Sequence, residues 1–370
     1  MAAIQVENLN FVYSPKTPFA KDAVKDVSLN VEEGEFFGII GHTGSGKSTL
    51  VQHFNGLIPP GRGKVTVLGI DTSDRTQLKN LRSQAGMVFQ YPEHQLFAET
   101  VFDDVAFGLK NFHSSGKDNP LTPEQTERAV KDAITMVGLD YETVKSRSPF
   151  DLSGGQKRRV ALAGVIVTRP KILILDEPTA GLDPAGKREI LALIHKLKKL
   201  CSPTIIMIGH DMNEIAENCT RICVLSEGRV LCVLPPQQLF LRAEELLNQG
   251  LELPATVRIA LKLRKLGMDI PPTLFTPKEL ADAVASAMLG ARAEKGGTAK
   301  HSENNNADLN NQSQQHIAGG DINQDKDLQT QDSSLMDGQN KDFEIKGDSP
   351  KGISGSESTP SSPDEKEGGI

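Results

Sequence analysis

The hydrophobic positions along this chain follow two different periods. Near the start, "IQVENLNFVY" and "VKDVSLNVEEGE" alternate polar with apolar residues, as antiparallel strands with one wet face do. Three later runs are apolar without interruption: "FFGII" (36–40), "KILILDEP" (171–178, stopped by Pro178) and "TIIMIG" (204–209). Unbroken strands alternating with helical stretches predict a buried, largely parallel sheet with helices on both faces. Residues 98–168 look helical and predict a lobe inserted into that sheet. Further on, "PATVRIALKLRKLG" and "TPKELADAVASAML" predict a helical pair within 254–290 that serves packing or dimerisation. The second opens on a capping box, Thr276 with Glu279, and has Pro277 at its first helical position.

Charge and composition then divide the chain. Of 370 residues with a net charge of −7, residues 291–370 hold 8 Lys and Arg against 15 Asp and Glu. That segment is rich in Gly, Ser, Asn, Gln and Asp, and predicts a disordered acidic tail. The first 290 residues are left with 33 charges of each sign, without the positive field a nucleic-acid binder needs. The expected organisation is an α/β domain over 1–245 with the helical subdomain at 98–168, a helical extension over 246–290, and the tail. No apolar run approaches the ~20 residues that span a bilayer. The N-terminus has neither the basic nor the apolar region of a secretory signal, so a cytosolic location is expected. Cys201, Cys219, Cys223 and Cys232 form no CxxC pair and have no zinc-finger histidine spacing; they read as reduced thiols in the core.

Chemistry enters with "GHTGSGKS" (41–48), which follows the strand "FFGII" and fits G-x-x-x-x-G-K-[ST] throughout. Gly41, His42, Thr43, Gly44, Ser45 and Gly46 form a loop whose N–H groups can face β-phosphate oxygens. Lys47 would reach the β- and γ-phosphates, Ser48 would ligate Mg²⁺, and Thr49 opens the following helix. "LILDEP" places Asp176 and Glu177 at the carboxyl end of a buried strand, where α/β sheets hold ligands. Successive side chains diverge, so Asp176 can hold Mg²⁺ through water while Glu177 polarises the water that attacks the γ-phosphorus. "LSGGQKRR" (152–159) offers a second anion grip: Ser153 caps a helix whose first N–H groups lie on Gly154 and Gly155, followed by Gln156. Two phosphate grips in one chain are most economically used if each subunit's Ser153 loop covers the nucleotide held by its partner.

With these motifs in order over roughly residues 4–235, the chain resembles the ATP-binding cassette ATPases. The resemblance implies a P-loop nucleotide-binding fold, with a mixed, mainly parallel sheet, an antiparallel flank and an inserted helical subdomain. It implies ATP and Mg²⁺ as ligands, Gln90 as the glutamine that touches Mg²⁺ and the attacking water, and His210 in "IGHDM" as the switch histidine at the γ-phosphate. It further implies Asp183 in "AGLD" facing the partner subunit and Tyr13 stacking on adenine. In this family the surface after that glutamine receives a helix of the membrane subunit, which gives "FQYPEHQLFAETV" (89–101) a docking purpose through Tyr91, Pro92, Leu96 and Phe97.

The wording of "GHTGSGKSTLVQHFNGL", "VFQYPEHQLFAETVFDDVAFGLKN", "RSPFDLSGGQKRRVALAGV" and "DEPTAGLDP" is similar to energy-coupling factor ATPases, closer to the second of their two paralogues. That implies a homodimer or a heterodimer with a paralogous ATPase, peripheral on the cytoplasmic membrane face. It also implies a transmembrane coupling subunit, a substrate-capture membrane subunit, and a vitamin or transition-metal cargo. The acidic tail departs from the family pattern. Two competing readings are the ATPase of a conventional importer and a soluble cassette of DNA repair or translation. The second lacks support, since there is one P-loop and no sustained heptad pattern.

Overall fold

A computed structural model describes residues 1–113 and 121–302. The alternating N-terminal segments form β1 (Ala2–Tyr13) and β2 (Lys21–Glu32), paired antiparallel. The uninterrupted run β3 (Phe36–Ile40) feeds the Gly-rich loop and α1 (Lys47–Phe54). Then come β4 (Arg62–Val67), β5 (Ile70–Asp71), α2 (Leu78–Gln84) and β6 (Ala85–Val88). The helical lobe holds α3 (Val101–His113), α4 (Pro123–Met136), α5 (Tyr141–Val144) and α6 (Gly154–Ile166). The chain returns through β7 (Ile172–Asp176), α7 (Pro184–Leu200), β8 (Thr204–Ile208), α8 (Met212–Asn218), β9 (Arg221–Ser226) and β10 (Arg229–Leu234). It ends in α9 (Pro236–Leu239), α10 (Ala243–Asn248), α11 (Ala255–Lys265) and α12 (Pro277–Ser302).

The strands make two sheets. One is antiparallel, in the order β2-β1-β4-β5; the other runs β10-β9-β3-β8-β7-β6 and is parallel except at its β10 edge. The period of two in each apolar run sorts its side chains into two cores. Phe36, Ile40, Leu173, Leu175, Ile205 and Met207 face the helices of the lobe and of α7 and α8. Phe37, Ile39, Ile172, Ile174, Ile206 and Ile208 face β1, β2, β4 and α1. Helices thus lie on both faces as expected, but on the second face α1 and α2 do not cover the sheet alone. One face is covered mainly by the antiparallel sheet, whose alternating strands supply the apolar layer that unbroken strands require.

The C-terminal pair forms as expected, with Glu279 accepting from Thr276 N–H at 3.0 Å and Thr276 Oγ1 accepting from Glu279 N–H at 3.2 Å. It has a small core of its own around Ala260, Ile270 and Leu280, while Val257 and Phe275 join the main core. Helix α12 extends through Ser302, into the segment expected to be disordered, and residues 303–370 of that tail lie outside the described residues. All four cysteines are free, and burial pushes Cys223 up to about 12 and raises Cys219 further, which makes both unreactive packing groups. No helix among the described residues is long and apolar enough to cross a membrane.

Candidate functional site

The phosphate loop is shaped by what surrounds it. At Gly46 φ is +101°, and a Cβ there would lie 2.3 Å from the Ala23 carbonyl oxygen, so only glycine lets β2 close over the start of α1. Lys47 Nζ donates to the carbonyls of Gly41 (2.8 Å) and His42 (3.0 Å), which fixes its ammonium across the loop mouth. Burial lowers its pKa, and the charges of Glu177 and Asp176 oppose that shift. His42 Nδ1 lies 2.9 Å from the Thr43 carbonyl. Ser45 is fully buried and spends its N–H on the His42 carbonyl at 3.1 Å, so it shapes the loop from behind. In front opens a cavity of about 180 Å³, lined by Tyr13, Lys21, Ala23, Gly44, Lys47 and Thr49 among others. Tyr13 is held by an edge contact with Phe11 (centroids 4.9 Å apart), and its hydroxyl lies 3.2 Å from Thr49 Oγ1. One face of a half-exposed aromatic ring thus sits at the mouth of a phosphate-binding loop.

Three neighbouring strands supply the next groups. In the order β8-β7-β6, the carboxyl ends lead into His210, Glu177 and Gln90 respectively. Gln90 Nε2 donates to Glu177 Oε2 at 3.0 Å, and His210 Nδ1 lies 3.4 Å from the same oxygen. Glu177 itself sits at φ +49°, a left-handed conformation that costs about 1–3 kcal/mol for a non-glycine residue. Its N–H bonds to the Ile208 carbonyl at 3.1 Å, which holds the turn against β8. Asp176, one residue earlier, is buried and points elsewhere. Burial raises its pKa, while a hydrogen bond from Ser48 and the charge of Lys47 lower it. The two acids therefore do diverge, one toward the loop and one toward Gln90 and His210.

At the second expected anion grip there is a capping box: Ser153 Oγ accepts from Gln156 N–H (3.3 Å), and Gln156 Oε1 accepts from Ser153 N–H (3.0 Å). Gly154 and Gly155 are exposed, and their N–H groups, in the first turn of α6, have no intrahelical acceptor. A Cβ on either would meet nothing within 4 Å. Nothing in this chain, then, requires glycine there. Asp183 is exposed and caps α7, accepting from Gly186 N–H at 2.8 Å.

The segment after Gln90 divides between surface and core. Tyr91 (40%) and Phe97 (59%) are exposed, with Phe97 set edge-on to Phe107, which is also exposed, centroids 4.8 Å apart. Leu96 is 6% exposed, and Pro92 is buried in the 3-10 turn Pro92–Gln95. Both were expected on a docking surface, and neither is available to a partner. The tight turn folds Pro92 inward, where it lines a small cavity with Val88 and Leu162, and the extended residue Leu96 alternates with Phe97, one in the core and one out.

Other residues join the site without a sequence signal. Lys21 lines the cavity. Lys187 bridges Asp211 (2.9 Å) and Glu214 (3.0 Å) directly after His210, and Thr179 donates to Glu214 at 2.6 Å. Asn213 Oδ1 accepts the N–H of Ala255 at 2.8 Å, so the turn after His210 caps α11, whose own N-cap is Pro254. Arg158, the middle residue of "KRR" (157–159), is 4% exposed. Long-range pairings of this kind leave no local pattern.

Comparison with known proteins identifies the family. The ABC transporter family profile matches residues 24–180. The chain is 50% identical over 290 residues to the energy-coupling factor transporter ATP-binding protein EcfA2 of Symbiobacterium thermophilum, covering 78% of this chain and 98% of that one. It is 46% identical to the protein of the same name from Caldanaerobacter subterraneus, covering 78% and 99%. Among solved structures, cbiO1 of Clostridium perfringens, described as part of the ABC transporter complex cbiONQ, superposes with a TM-score of 0.58 at 36% identity over 72% of this chain and 97% of that one. A dimeric ATP-binding cassette in a post-hydrolysis state, bound to ADP and Pi, gives 0.55 at 30% identity over 63% and 98%. This chain belongs to the energy-coupling factor transporter ATP-binding proteins, a branch of the ABC transporter ATPases.

Proposed function

We propose that the chain is the ATP-hydrolysing subunit of an energy-coupling factor importer and works as one of a pair, with a second copy or a paralogous ATPase. The convergence of Gln90 and His210 on one oxygen of Glu177 carries the reading. That oxygen is the general base for the attacking water, Gln90 orients the carboxylate, and His210 contacts the γ-phosphate as it departs. Lys47 gives up its loop carbonyls for the β- and γ-phosphates, N–H groups of the 41–46 loop bind the β-phosphate, and Tyr13 stacks on adenine. Ser48 lies close enough to Asp176 to lower its pKa, and the two supply an oxygen pair that suits Mg²⁺, with Gln90 as the further ligand this reading assigns. When bound, the ion would neutralise phosphate charge. The open N-terminus of α6 at Ser153, Gly154 and Gly155, together with Asp183, faces the nucleotide of the partner subunit.

The chain sits peripherally on the cytoplasmic face of the membrane, where Tyr91 and Phe97 receive a helix of the transmembrane coupling subunit. A separate membrane subunit captures the cargo, a vitamin or a transition-metal ion. Phe97→Ser should cost about 1 kcal/mol of stability, since it removes one exposed aromatic pair. Recovery of the coupling subunit from detergent-solubilised membranes should fall at least tenfold. Leu96→Ser should instead cost about 3 kcal/mol through a cavity and a buried hydroxyl, and so report on folding. Full recovery and transport with Phe97→Ser would refute the docking surface. Co-purification of ribosomes or DNA without an integral membrane protein would refute the transport reading itself.

A further inference from the structure

A buried arginine joins three segments that lie far apart in sequence. Arg158 sits one turn into α6, three residues after Gly155, and is 4% exposed. Its Nε and Nη2 donate to the two carboxylate oxygens of Glu93, at 3.1 and 3.3 Å. Its Nη1 and Nη2 both donate to the carbonyl of Ala180, at 3.1 Å each. Glu93 lies in the 3-10 turn between Gln90 and Phe97, and Ala180 opens the "AGLD" segment that ends in Asp183. A second contact joins the same turn and segment. Gly181 has φ +74°, and a Cβ on it would lie 3.3 Å from the ring of Tyr91.

Burying a guanidinium is costly unless every donor is met, and a hydrophobic residue would fill the space at less expense. Apolar packing could hold α6 in place, since Val160, Leu162, Ala163 and Ile166 already lie in the core. What packing cannot do is fix three backbones in one register through a planar fork. The turn of residues 92–95 cannot shift without pulling Glu93, and through Arg158 both the start of α6 and the Ala180 carbonyl.

We infer that Arg158 is a positioning residue that locks the membrane-facing turn at Glu93 to the two segments that complete the partner's nucleotide site, the first turn of α6 and residues 180–183. Movement at the docking surface and closure over the partner's nucleotide are then one motion. The purpose of this lock rests on the paired-subunit reading above, but the contact can be tested on the purified full-length chain without any membrane subunit.

Arg158→Lys keeps the charge and loses the fork; Glu93→Gln keeps the shape and loses the charge. Hydrogen exchange should speed at least tenfold in both 91–97 and 180–186, with 41–49 unchanged. The KM for ATP should stay within twofold while kcat falls at least tenfold. The double variant should be no worse than the more affected single one, because both remove one unit. Exchange that rises uniformly over the chain, a KM that rises with unchanged kcat, or losses that multiply in the double variant would each overturn the assignment. If Arg158→Lys does not fold, Glu93→Gln alone decides, since its carboxylate is partly exposed. Failure of the wild-type chain to recover a membrane subunit would count against the transport reading and leave these outcomes standing.

Discussion

Glu177→Gln should bind ATP with unchanged affinity and lose steady-state hydrolysis by about 10³-fold. The substitution keeps the size of the side chain and an oxygen that can accept from Gln90 Nε2, so the turn at φ +49° has no reason to rearrange. What disappears is the ability to take a proton from water. General-base catalysis is worth about 10²–10⁴ in rate, and a factor of 10³ corresponds to about 4 kcal/mol of transition-state stabilisation. Because ATP enters and cannot leave as product, the nucleotide-bound dimer should accumulate, visible as an ATP-dependent doubling of mass in solution. Wild-type turnover in this variant would remove Glu177 from the role of base and leave Gln90 and His210 converging on a bystander.

The second large effect separates stability from activity. Gly154→Glu places an acidic side chain at the first position of α6, where a Cβ meets nothing within 4 Å and a negative charge is favoured by the helix dipole. Replacing glycine inside a helix also gains about 0.5–1 kcal/mol of helix propensity. The melting temperature should therefore hold or rise slightly. Hydrolysis should nevertheless fall by at least about 10²-fold, because the added carboxylate repels the partner's phosphate from these N–H groups, an effect comparable to losing a preorganised donor. Affinity of the isolated chain for ATP should not change, since the first grip is untouched. If the site were complete within one chain, this exposed position would tolerate glutamate, and a fully active variant would show that it does. A monomer turning over ATP at the full rate would lead to the same conclusion.

Much of the site could be read directly from the chain. The 41–48 loop, Asp176 with Glu177, and the Ser153 cap are local features, set by residues adjacent in sequence, and each occurs where its motif places it. The register of the apolar runs was legible too, because a period of two sends alternate residues to opposite faces whatever covers those faces. The misjudged positions share one cause. In "PEHQLF" no period distinguishes inside from outside, and a 3-10 turn followed by an extended residue buries Pro92 and Leu96 while exposing Phe97. Helices were expected on both faces of the sheet for a similar reason. An unbroken apolar strand states that both faces are covered but not by what, and here β1, β2 and β4 join α1 on one of them.

Sequence alone determined which groups can grip phosphate, hold a hard cation and take a proton, since those capacities belong to residue types at short fixed spacings. It also placed a second helix start with two glycines, at Ser153–Gly155, well apart in sequence from the 41–48 loop. Only the tertiary structure decided which groups meet. Gln90, Glu177 and His210 converge because β6, β7 and β8 lie side by side in a parallel sheet, an order no short-range pattern encodes. Arg158 is a buried tie because Glu93 and Ala180, 65 and 22 residues away, close around it. Contacts over such separations depend on how the whole chain packs, so they become visible only once the fold has brought the strands and turns together.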